Sequence, residues 1–458
     1  MKYFPKTSRF YLLSLVFLTL LPLSAQAILE IEITKGADNA RPIAIIPFKF
    51  QGTGALPQNI SQIIFSDLQR SGRFRPTPLA DLPETPFNSG DVHLEKWKSR
   101  GIENVVVGQI QQVEADTYNI SFELLDIFSA SPEIQPNQQI LNGELVIKTQ
   151  SQMILDARSS QVNAASMRRY AHRIADIIYE KLTGVRGAFS TRLAYINLEP
   201  GAKNKYQLFV SDADGYNPNL IRASNQPIMS PAWSPDGSQL AYVSFESGRP
   251  QIFIQNVYTG QRRAVTNYKG INGAPAWSPD GKRLSMTLSK DGNPEIYILD
   301  LATNRLTRIT DHWGIDTESS WHPDGQHLIF TSDRGGKPQI YQIALGDKTP
   351  ERMTFNGDYN AGAAYTADGK EIVLIHRENN IFHVAIRDQK SGIIQPLTET
   401  QLDESPSIAP NGSMIIYATL SRGRRVLAAV STDGRFRTIL TASNQGDVRA
   451  PAWSPYLD

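Results

Sequence analysis

SPAWSPDG, residues 230–237, decides the fold because it returns along the rest of the chain. It recurs as APAWSPDG at residues 274–281 and as SSWHPDG at residues 319–325, with weaker copies at residues 363–369, 406–412 and 451–455. The tryptophan position is filled every 43 to 45 residues, by Trp233, Trp277, Trp321, Tyr365, Ile408 and Trp453. Six copies at one period indicate a repeat protein.

Each copy predicts four short strands. In the first copy these are residues 231–233, 239–244, 251–256 and 262–266, separated by turn sequences rich in Pro, Gly, Ser and Asp. Four strands per repeat are typical of a β-propeller blade, whereas a solenoid needs helices or shorter repeats of about 20–30 residues. We interpret the tryptophans as packing between neighbouring blades.

The two ends of the repeat region predict that the ring closes. The last copy supplies only one strand, while residues 192–197, 207–211 and 219–223 match the second, third and fourth strands of a blade that lacks a first. Pairing the C-terminal strand with them completes a sixth blade and removes the open edges. We therefore predict an all-β six-bladed β-propeller over residues 186–458.

Residues 28–185 do not repeat, and they predict an α+β domain with helices on a mixed sheet. The predicted strands are residues 41–50, 104–110, 118–126 and 139–150, and the predicted helices are residues 57–71, 92–100 and 161–182. In the last helix Ile174, Ile177, Ile178 and Leu182 share one face, and Gly184 ends it.

Residues 1–27 predict a secretory signal peptide, with a basic start, an apolar run and Ala25-Gln26-Ala27 as the cleavage pattern. The expected product is an exported protein that begins near Ile28. The chain has 46 Lys and Arg against 45 Asp and Glu, a balance that does not suggest a nucleic-acid binder. It has no cysteine, which excludes disulfides, cysteine-ligated metals, thiol nucleophiles and lipidation of the mature N-terminus.

Catalytic and metal-binding motifs are not evident. The sequence has no Gly-x-Ser-x-Gly, no His-Glu-x-x-His and no phosphate-binding glycine-rich loop. The seven histidines are scattered without ligand spacing, and we interpret His322 and His327 as exposed turn positions. Asp212-Ala-Asp-Gly215 resembles half of a calcium loop, but it lies at a predicted blade hairpin. Three arginine pairs are interpreted as solvated: Arg168-Arg169, Arg262-Arg263 and Arg424-Arg425.

The segments just before the first strand of each blade invite a functional interpretation. They are residues 226–230, 271–274, 314–318, 358–361, 402–405 and 447–450. In a propeller these segments lie together around the central channel, and here they differ while the strands repeat. A binding face needs such variation on a rigid frame, although loops also vary without a function. Four acids stand in them: Asp316, Glu318, Asp403 and Glu404.

The first mature residues, ILEIEIT at 28–34, alternate apolar with acidic side chains. This pattern predicts a strand. It is either a detachable strand that adds to the sheet edge of a partner or an ordinary edge strand of the N-terminal domain.

Together these features resemble the TolB family, the soluble periplasmic components of the Tol–Pal envelope system of Gram-negative bacteria. The resemblance rests on the repeats and on GADNARPI (36–43), IPF (46–48), LDESP (402–406) and PAWSPYL (451–457). It covers essentially the whole chain. It implies a non-catalytic periplasmic adaptor that serves outer-membrane integrity and envelope constriction during cell division.

The resemblance also implies two partners. In the family the channel mouth binds Pal, the peptidoglycan-associated lipoprotein, and the first mature residues bind the inner-membrane protein TolA. Binding at the propeller tucks that segment away, so that one partner controls access to the other. The TolA segment corresponds to residues 28–39 here, with contacts expected from Ile28, Leu29, Glu30, Ile31, Glu32 and Ile33.

The positions that correspond to the Pal-facing motif are Ala274, Thr317 and Glu318. To these we add residues of the same segments: Met229, Ile271, Asp316, Asp403, Glu404 and Arg449. Relatives can carry histidine where this chain has Ile271, so this chain lacks the polar side chain that a histidine offers there.

We therefore predict a monomeric adaptor for Pal, TolA and other outer-membrane proteins, without cofactor, metal, nucleic acid or membrane insertion. Two alternatives stay open. A secreted propeller hydrolase or lyase would need its acids to converge in the channel, around a cation. A sugar- or peptidoglycan-binding propeller would need exposed aromatic residues on one face, and the segments before the first strands offer only Tyr359.

Overall fold

The computed structural model describes residues 29–35, 39–129, 136–141, 144–149, 153–400, 402–442 and 446–457. The predicted signal peptide, residues 1–27, and Ile28 lie outside the described residues. No helix in the described part of the chain is long and apolar enough to cross a membrane.

A mixed sheet with helices forms the N-terminal domain, as predicted. The first strand, β1 (Leu29–Lys35), is not part of this sheet and pairs with a strand of the propeller. The others are β2 (Arg41–Ile45), β3 (Lys49–Gln51), β4 (Phe74–Pro76), β5 (Asn104–Glu114), β6 (Thr117–Asp126), β7 (Pro136–Leu141), β8 (Glu144–Thr149) and β9 (Ile154–Asn163). Their order is β4-β2-β5-β6-β9-β8-β7, with β3 beside β5. Strands β2, β3 and β4 pair in parallel, and the others are antiparallel.

The helices are α1 (Ile60–Arg70), α2 (Leu94–Lys98) and α3 (Met167–Thr183), with 3-10 turns at Leu79–Asp81, Ser89–Asp91 and Ala164–Ser166. The Asn59 side chain caps α1 by accepting the Gln62 N–H at 3.1 Å. Gly184 ends α3 at a φ of 77°, a conformation that favours glycine. The apolar faces of α1 and α3 pack into one core with the sheet.

Three predicted elements have different bounds in the structure. The strand predicted at 41–50 is interrupted between β2 and β3, where Pro47 has no N–H to donate to a sheet. The single strand predicted at 139–150 is wrong, because β7 and β8 form an antiparallel pair. The helix predicted at 161–182 begins later, since residues up to Asn163 belong to β9, which pairs with β6.

Six propeller sheets follow, each with four strands from the repeat region, which confirms the predicted architecture. Blade 1 has β13 (Ile228–Trp233), β14 (Gln239–Ser244), β15 (Gln251–Asn256) and β16 (Arg262–Ala264). Blade 2 has β17 (Asn272–Trp277), β18 (Arg283–Leu288), β19 (Glu295–Asp300) and β20 (Leu306–Arg308). Blade 3 has β21 (Asp316–Trp321), β22 (His327–Ser332), β23 (Gln339–Ala344) and β24 (Glu351–Arg352). Blade 4 has β25 (Tyr359–Tyr365), β26 (Glu371–Glu378), β27 (Ile381–Asp388) and β28 (Ile394–Pro396).

Blade 5 is the last complete repeat, and blade 6 joins the two ends of the propeller. Blade 5 has β29 (Glu404–Ile408), β30 (Met414–Ser421), β31 (Arg424–Ser431) and β32 (Arg437–Ala442). Blade 6 combines the C-terminal β33 (Asp447–Trp453) with β10 (Arg192–Leu198), β11 (Tyr206–Asp212) and β12 (Asn219–Ser224). The pairing of β33 with β10 closes the ring, as the orphan strands predicted.

The repeat tryptophans connect neighbouring blades. The Trp277 indole donates to the Ala232 carbonyl at 3.2 Å, and the Trp321 indole donates to the Ala276 carbonyl at 3.1 Å. The Trp233 indole donates in the same way to the Ala452 carbonyl of blade 6 at 3.0 Å, where the ring closes. In these three bonds the acceptor is the residue before the equivalent aromatic, so one motif supplies both packing and a hydrogen bond between blades. The Trp453 indole differs and donates to the Thr191 hydroxyl at 2.8 Å.

The first strand, β1, joins the propeller and not the N-terminal sheet. It pairs antiparallel with the outer strand of blade 5, from Leu29 opposite Ala442 to Lys35 opposite Arg437. The alternative that this segment is an edge strand of the N-terminal domain is therefore wrong. Blade 5 becomes a five-stranded sheet.

Partly buried charges join the two domains. Arg168 of α3 donates to Asp212 at 3.1 Å and to Asp214, both in or beside the turn after β11. Arg70 of α1 donates to the Ala213 carbonyl at 3.0 Å. The interpretation of Arg168 as solvated is wrong, and the acids of the calcium-like loop face arginine. Burial alone would raise the pKa of Asp214, but the charges of Arg70, His172 and Arg168 lower it.

We expect Arg168→Ala to destabilise the protein by about 2 kcal/mol, because it leaves the partly buried carboxylates of Asp212 and Asp214 without the guanidinium that pairs with them. Chemical denaturation measures the loss, and separate unfolding of the two domains would accompany it. Arg169→Ala is the matched control, since the neighbouring side chain is exposed. Equal losses in the two variants would contradict a role for the ion pairs between the domains.

Candidate partner-binding surfaces

A ring of six residues with left-handed backbone lies along the first strands of the blades. Their φ angles are between 46° and 60°, and each stands three positions before the repeat aromatic or its substitute: Ser230, Ala274, Glu318, Gly362, Ser405 and Ala450. At each of them the pairing of the first strand with the second shifts register. We call these residues the bulge ring.

Five members of the bulge ring are not glycine, and a left-handed residue with a side chain costs about 1–2 kcal/mol. Such strained positions persist where the surrounding structure enforces them, and they cluster at functional sites. Because the first strands of neighbouring blades contact each other around the channel, the bulge ring surrounds the channel near the segments that vary between copies. The ring therefore marks the propeller face that deserves a functional test.

Glu318 is an exposed member of the bulge ring. Its Oε2 accepts the Thr331 hydroxyl and the backbone N–H of Gly362, each at 3.1 Å. Its neighbour Thr317 lies 3.2 Å from the Thr287 hydroxyl. Adjacent residues of blade 3 thus contact blade 4 on one side and blade 2 on the other. A partner that binds Glu318 would act directly on the joint between two blades.

Two of the predicted contact acids are buried. Asp316 is 0% exposed and forms an ion pair with Arg334 at 2.5 Å. Burial raises the pKa of Asp316, although the Ser332 hydrogen bond and the Arg334 charge oppose that effect. Asp403 is 2% exposed and accepts the hydroxyls of three threonines: Thr398, Thr400 and Thr419. Direct contact of either acid with a partner is therefore a wrong expectation for this conformation, and both hold loop shape instead.

Glu404 and Arg449 lie at the joint between blades 5 and 6. Arg425 donates to Glu404, and the Arg425 backbone N–H donates to Asp447 at 3.2 Å. The Arg449 guanidinium donates to the other carboxylate oxygen of Asp447 at 3.3 Å. Each charge in this group has an opposite charge beside it, so the joint offers a mixed polar surface. The interpretation of Arg425 as merely solvated is wrong.

Large apolar side chains are exposed in the loops that lead into blades 2, 3 and 4. The side chain of Ile271 precedes β17, and those of Trp313 and Phe355 precede β21 and β25. Trp313 is 77% exposed and Phe355 70%, and Met229 at the start of β13 is half exposed. Exposed aromatic residues next to polar groups are the usual anchors of protein interfaces.

The four acids that an enzymatic channel site would need have separate partners. Asp316 pairs with Arg334, Glu318 accepts from Thr331 and Gly362, and Asp403 accepts from threonines. Glu404 pairs with Arg425. The groups of the described residues that could hold a metal ion lie elsewhere, at His322, Asp324 and His327 and at Asp67, His172 and Asp214. Convergence of the four acids on one cation is therefore not the observed arrangement.

Two family models cover this architecture. The TolB amino-terminal domain matches residues 29–132, and the TolB beta propeller domain matches residues 179–457. The chain belongs to the TolB family. It is 58% identical to the Tol-Pal system protein TolB of Nitrosococcus oceani over 94% of both chains. It is 56% identical to the protein of that name from Thioalkalivibrio sulfidiphilus, over 97% of this chain and 98% of the relative.

A solved structure supports the same conclusion. The crystal structure of TolB from Acinetobacter baumannii is 42% identical, with a TM-score of 0.83, over 93% of this chain and 100% of that one. Membership of the TolB family makes the chain a Tol–Pal system component.

Within this TolB-family chain, the bulge ring and the exposed aromatic residues were missed by the sequence analysis. The ring had a usable sequence signature, because its members share one offset from the repeat aromatic. The sequence signature of Trp313 and Phe355 is weaker, since they lie just before the variable segments at residues 314–318 and 358–361. Ala274, Thr317 and Glu318 remain predictions as partner contacts, and so do Met229, Ile271, Glu404 and Arg449.

Proposed function

We propose that the chain is a non-catalytic periplasmic adaptor that binds Pal at the bulge-ring face and TolA through residues 28–39. The observation that carries the proposal is a varied face, with exposed Trp313 and Phe355, on a ring whose frame repeats. The relatives named Tol-Pal system protein TolB support the choice of partners. The adaptor would serve outer-membrane integrity and envelope constriction during cell division.

The pairing of β1 with blade 5 supports a second element of the proposal. A segment that binds TolA as a free strand cannot also pair with β32. The conformation with β1 paired is then the one that withholds the segment from TolA. Occupancy of the face by Pal would shift the balance between paired and free β1, which requires that Pal bind the two conformations with different affinities.

Calorimetric titration with the soluble domain of Pal from the same organism tests the first partner. We expect saturable one-to-one binding, with a negative heat-capacity change from burial of apolar side chains such as Trp313. The matched variants are Trp313→Ser and, on the exposed turn of another face, Tyr258→Ser. The proposal fails if the parent protein shows no binding at several temperatures, or if Tyr258→Ser weakens binding as much as Trp313→Ser.

The exposed Trp313 and Phe355 also favour a second candidate, a propeller that binds the sugar chains of peptidoglycan. Aromatic side chains offer flat apolar faces to sugar rings. Soluble muropeptides in place of Pal in the same titration decide between the two. Binding of muropeptides that Trp313→Ser abolishes, with no binding of Pal, would replace the adaptor proposal.

A further inference from the structure

One turn of blade 3 departs from the repeat. In blades 1, 2 and 4 the turn after the first strand begins with a hydroxyl residue: Ser234, Ser278 and Thr366. Each hydroxyl donates to the turn aspartate and accepts the N–H of the residue five positions later. Blade 3 has His322 at this position and His327 five positions later. The fold does not require either histidine, since the sister blades close the same turn without them.

Three ligand atoms converge in this turn. The His327 Nδ1 atom lies 2.7 Å from the Asp324 Oδ2 atom, and the His322 Nδ1 atom lies 3.1 Å from it. Each of the three residues offers one ligand atom within 4.8 Å of the other two. The His322 Nδ1 atom also accepts the backbone N–H of Asp324 at 3.2 Å, a hydrogen bond that a metal ion at Nδ1 would replace. A tetrahedral zinc ion holds nitrogen and oxygen ligands at about 2.0–2.2 Å, which places the ligands about 3.3–3.6 Å apart. A small opening of the cluster would therefore admit the ion.

We propose that His322, Asp324 and His327 bind a divalent cation of the zinc class. Imidazole nitrogens with one carboxylate suit zinc, nickel and copper, whereas magnesium and calcium prefer oxygen alone. The side chains are between 28% and 37% exposed, which leaves a fourth position for water.

Neighbouring residues hold the His322 ring in place. The Tyr365 ring meets the His322 ring edge to face, with centroids 4.7 Å apart. Gly369 lies beneath that ring, where any side chain would come within 2.8 Å of Nε2. Arg283 of blade 2 donates to the Gly325 carbonyl at 3.0 Å and fixes the turn itself. A ligand set held in this way loses little conformational freedom when a metal binds.

The second group, Asp67, His172 and Asp214, is a poorer metal site. Arg70 already binds Asp67 at 2.9 Å, and Arg168 binds Asp214. These guanidinium groups neutralise the carboxylates and would repel a divalent cation. The blade 3 site lies at the end of β21 opposite to Glu318, so a bound metal would not obstruct the bulge-ring face.

Titration of the mature protein with zinc chloride tests the site. We expect one equivalent to bind and to raise the melting temperature, because the ion binds the folded turn. The double variant His322→Ser, His327→Gln carries the residues of blade 1, Ser234 and Gln239, and so keeps the repeat. Its zinc affinity should fall at least about tenfold, since even outer-shell changes at metal sites cost 10–100-fold.

His93→Ser is the matched control, because it removes an exposed histidine that lies 2.8 Å from Glu84 without a second imidazole. Cobalt in place of zinc gives an independent readout, a visible absorption band typical of tetrahedral coordination, which the double variant should lose. The proposal is overturned by an absence of binding to the parent protein. It is also overturned if the double variant binds zinc as the parent does, or if His93→Ser weakens binding equally.

Discussion

Deletion of residues 28–39 is expected to abolish TolA binding and to leave the melting temperature within a few degrees of the parent value. The segment adds β1 as a fifth strand at the outer edge of blade 5, and the other five blades are complete with four strands. Loss of an edge strand uncovers β32 but leaves the packing between blades in place. Calorimetry of the truncated protein with the periplasmic domain of TolA, followed by a thermal scan, measures both quantities.

A change in β32 provides the opposite test. Thr441 pairs with Glu30 of β1, and among the described residues it has no register partner in β31. Thr441→Pro should therefore release β1 without breaking the four-stranded blade, because proline disrupts an edge ladder. We expect the affinity for TolA to rise several-fold, since a larger fraction of molecules presents a free segment.

These two variants separate binding from stability. Unchanged TolA binding by the truncated protein would place the contact elsewhere. A fall in melting temperature of about 10 °C or more would mean that β1 is part of the core. Weaker binding by Thr441→Pro would show that TolA recognises the paired strand, which contradicts the proposed competition.

The architecture was predictable because it depends on local patterns. The six-copy period, the turn residues and the incomplete last copy together specify the blades and their closure, as the pairing of β33 with β10 confirms. The bounds of β7, β8 and α3 were not predictable in the same way. They depend on pairing with β6 and β9, and strand pairing is set by contacts between distant residues.

The partner of β1 shows the same limit. Alternation of apolar and acidic residues predicts a strand, but not the edge to which the strand adds. Its partner, β32, lies at the other end of the chain. The pairing therefore depends on how the whole propeller closes, which no local pattern encodes.

The place of the candidate site remains a prediction, and its chemistry was only partly predictable. Segments that vary over a repeat point to the loops at one face, whereas burial of Asp316 depends on Arg334 in a different turn of the blade. Asp403 is likewise enclosed by threonines from two sides. The sequence predicts His322 and His327 as exposed turn positions, but it does not show that both imidazoles point toward Asp324 in the folded turn.

Charge reversal at Glu318 is expected to raise the Kd for Pal by about 10- to 100-fold, which corresponds to about 1.4–2.8 kcal/mol. The carboxylate is exposed at the joint between blades 3 and 4, where it accepts from Thr331 and Gly362. Glu318→Lys puts a positive charge beside those donors and toward the partner. Because lysine also has a side chain at this left-handed position, the backbone strain of the bulge stays comparable.

Two further variants show which property of Glu318 matters. Glu318→Gln keeps an oxygen acceptor for Gly362 but removes the charge, so it should weaken Pal binding less than lysine if the hydrogen bonds across the joint contribute. Glu351→Lys makes the same charge change at an exposed position on β24, the outer strand of the same blade, and should leave the Kd within about twofold. If all three variants bind Pal as the parent does, the interface lies away from the bulge ring. If Glu351→Lys weakens Pal binding as much as Glu318→Lys, the net charge of the protein governs association with Pal, and not a contact at the channel mouth. Steering by overall charge does not depend on where the charge lies.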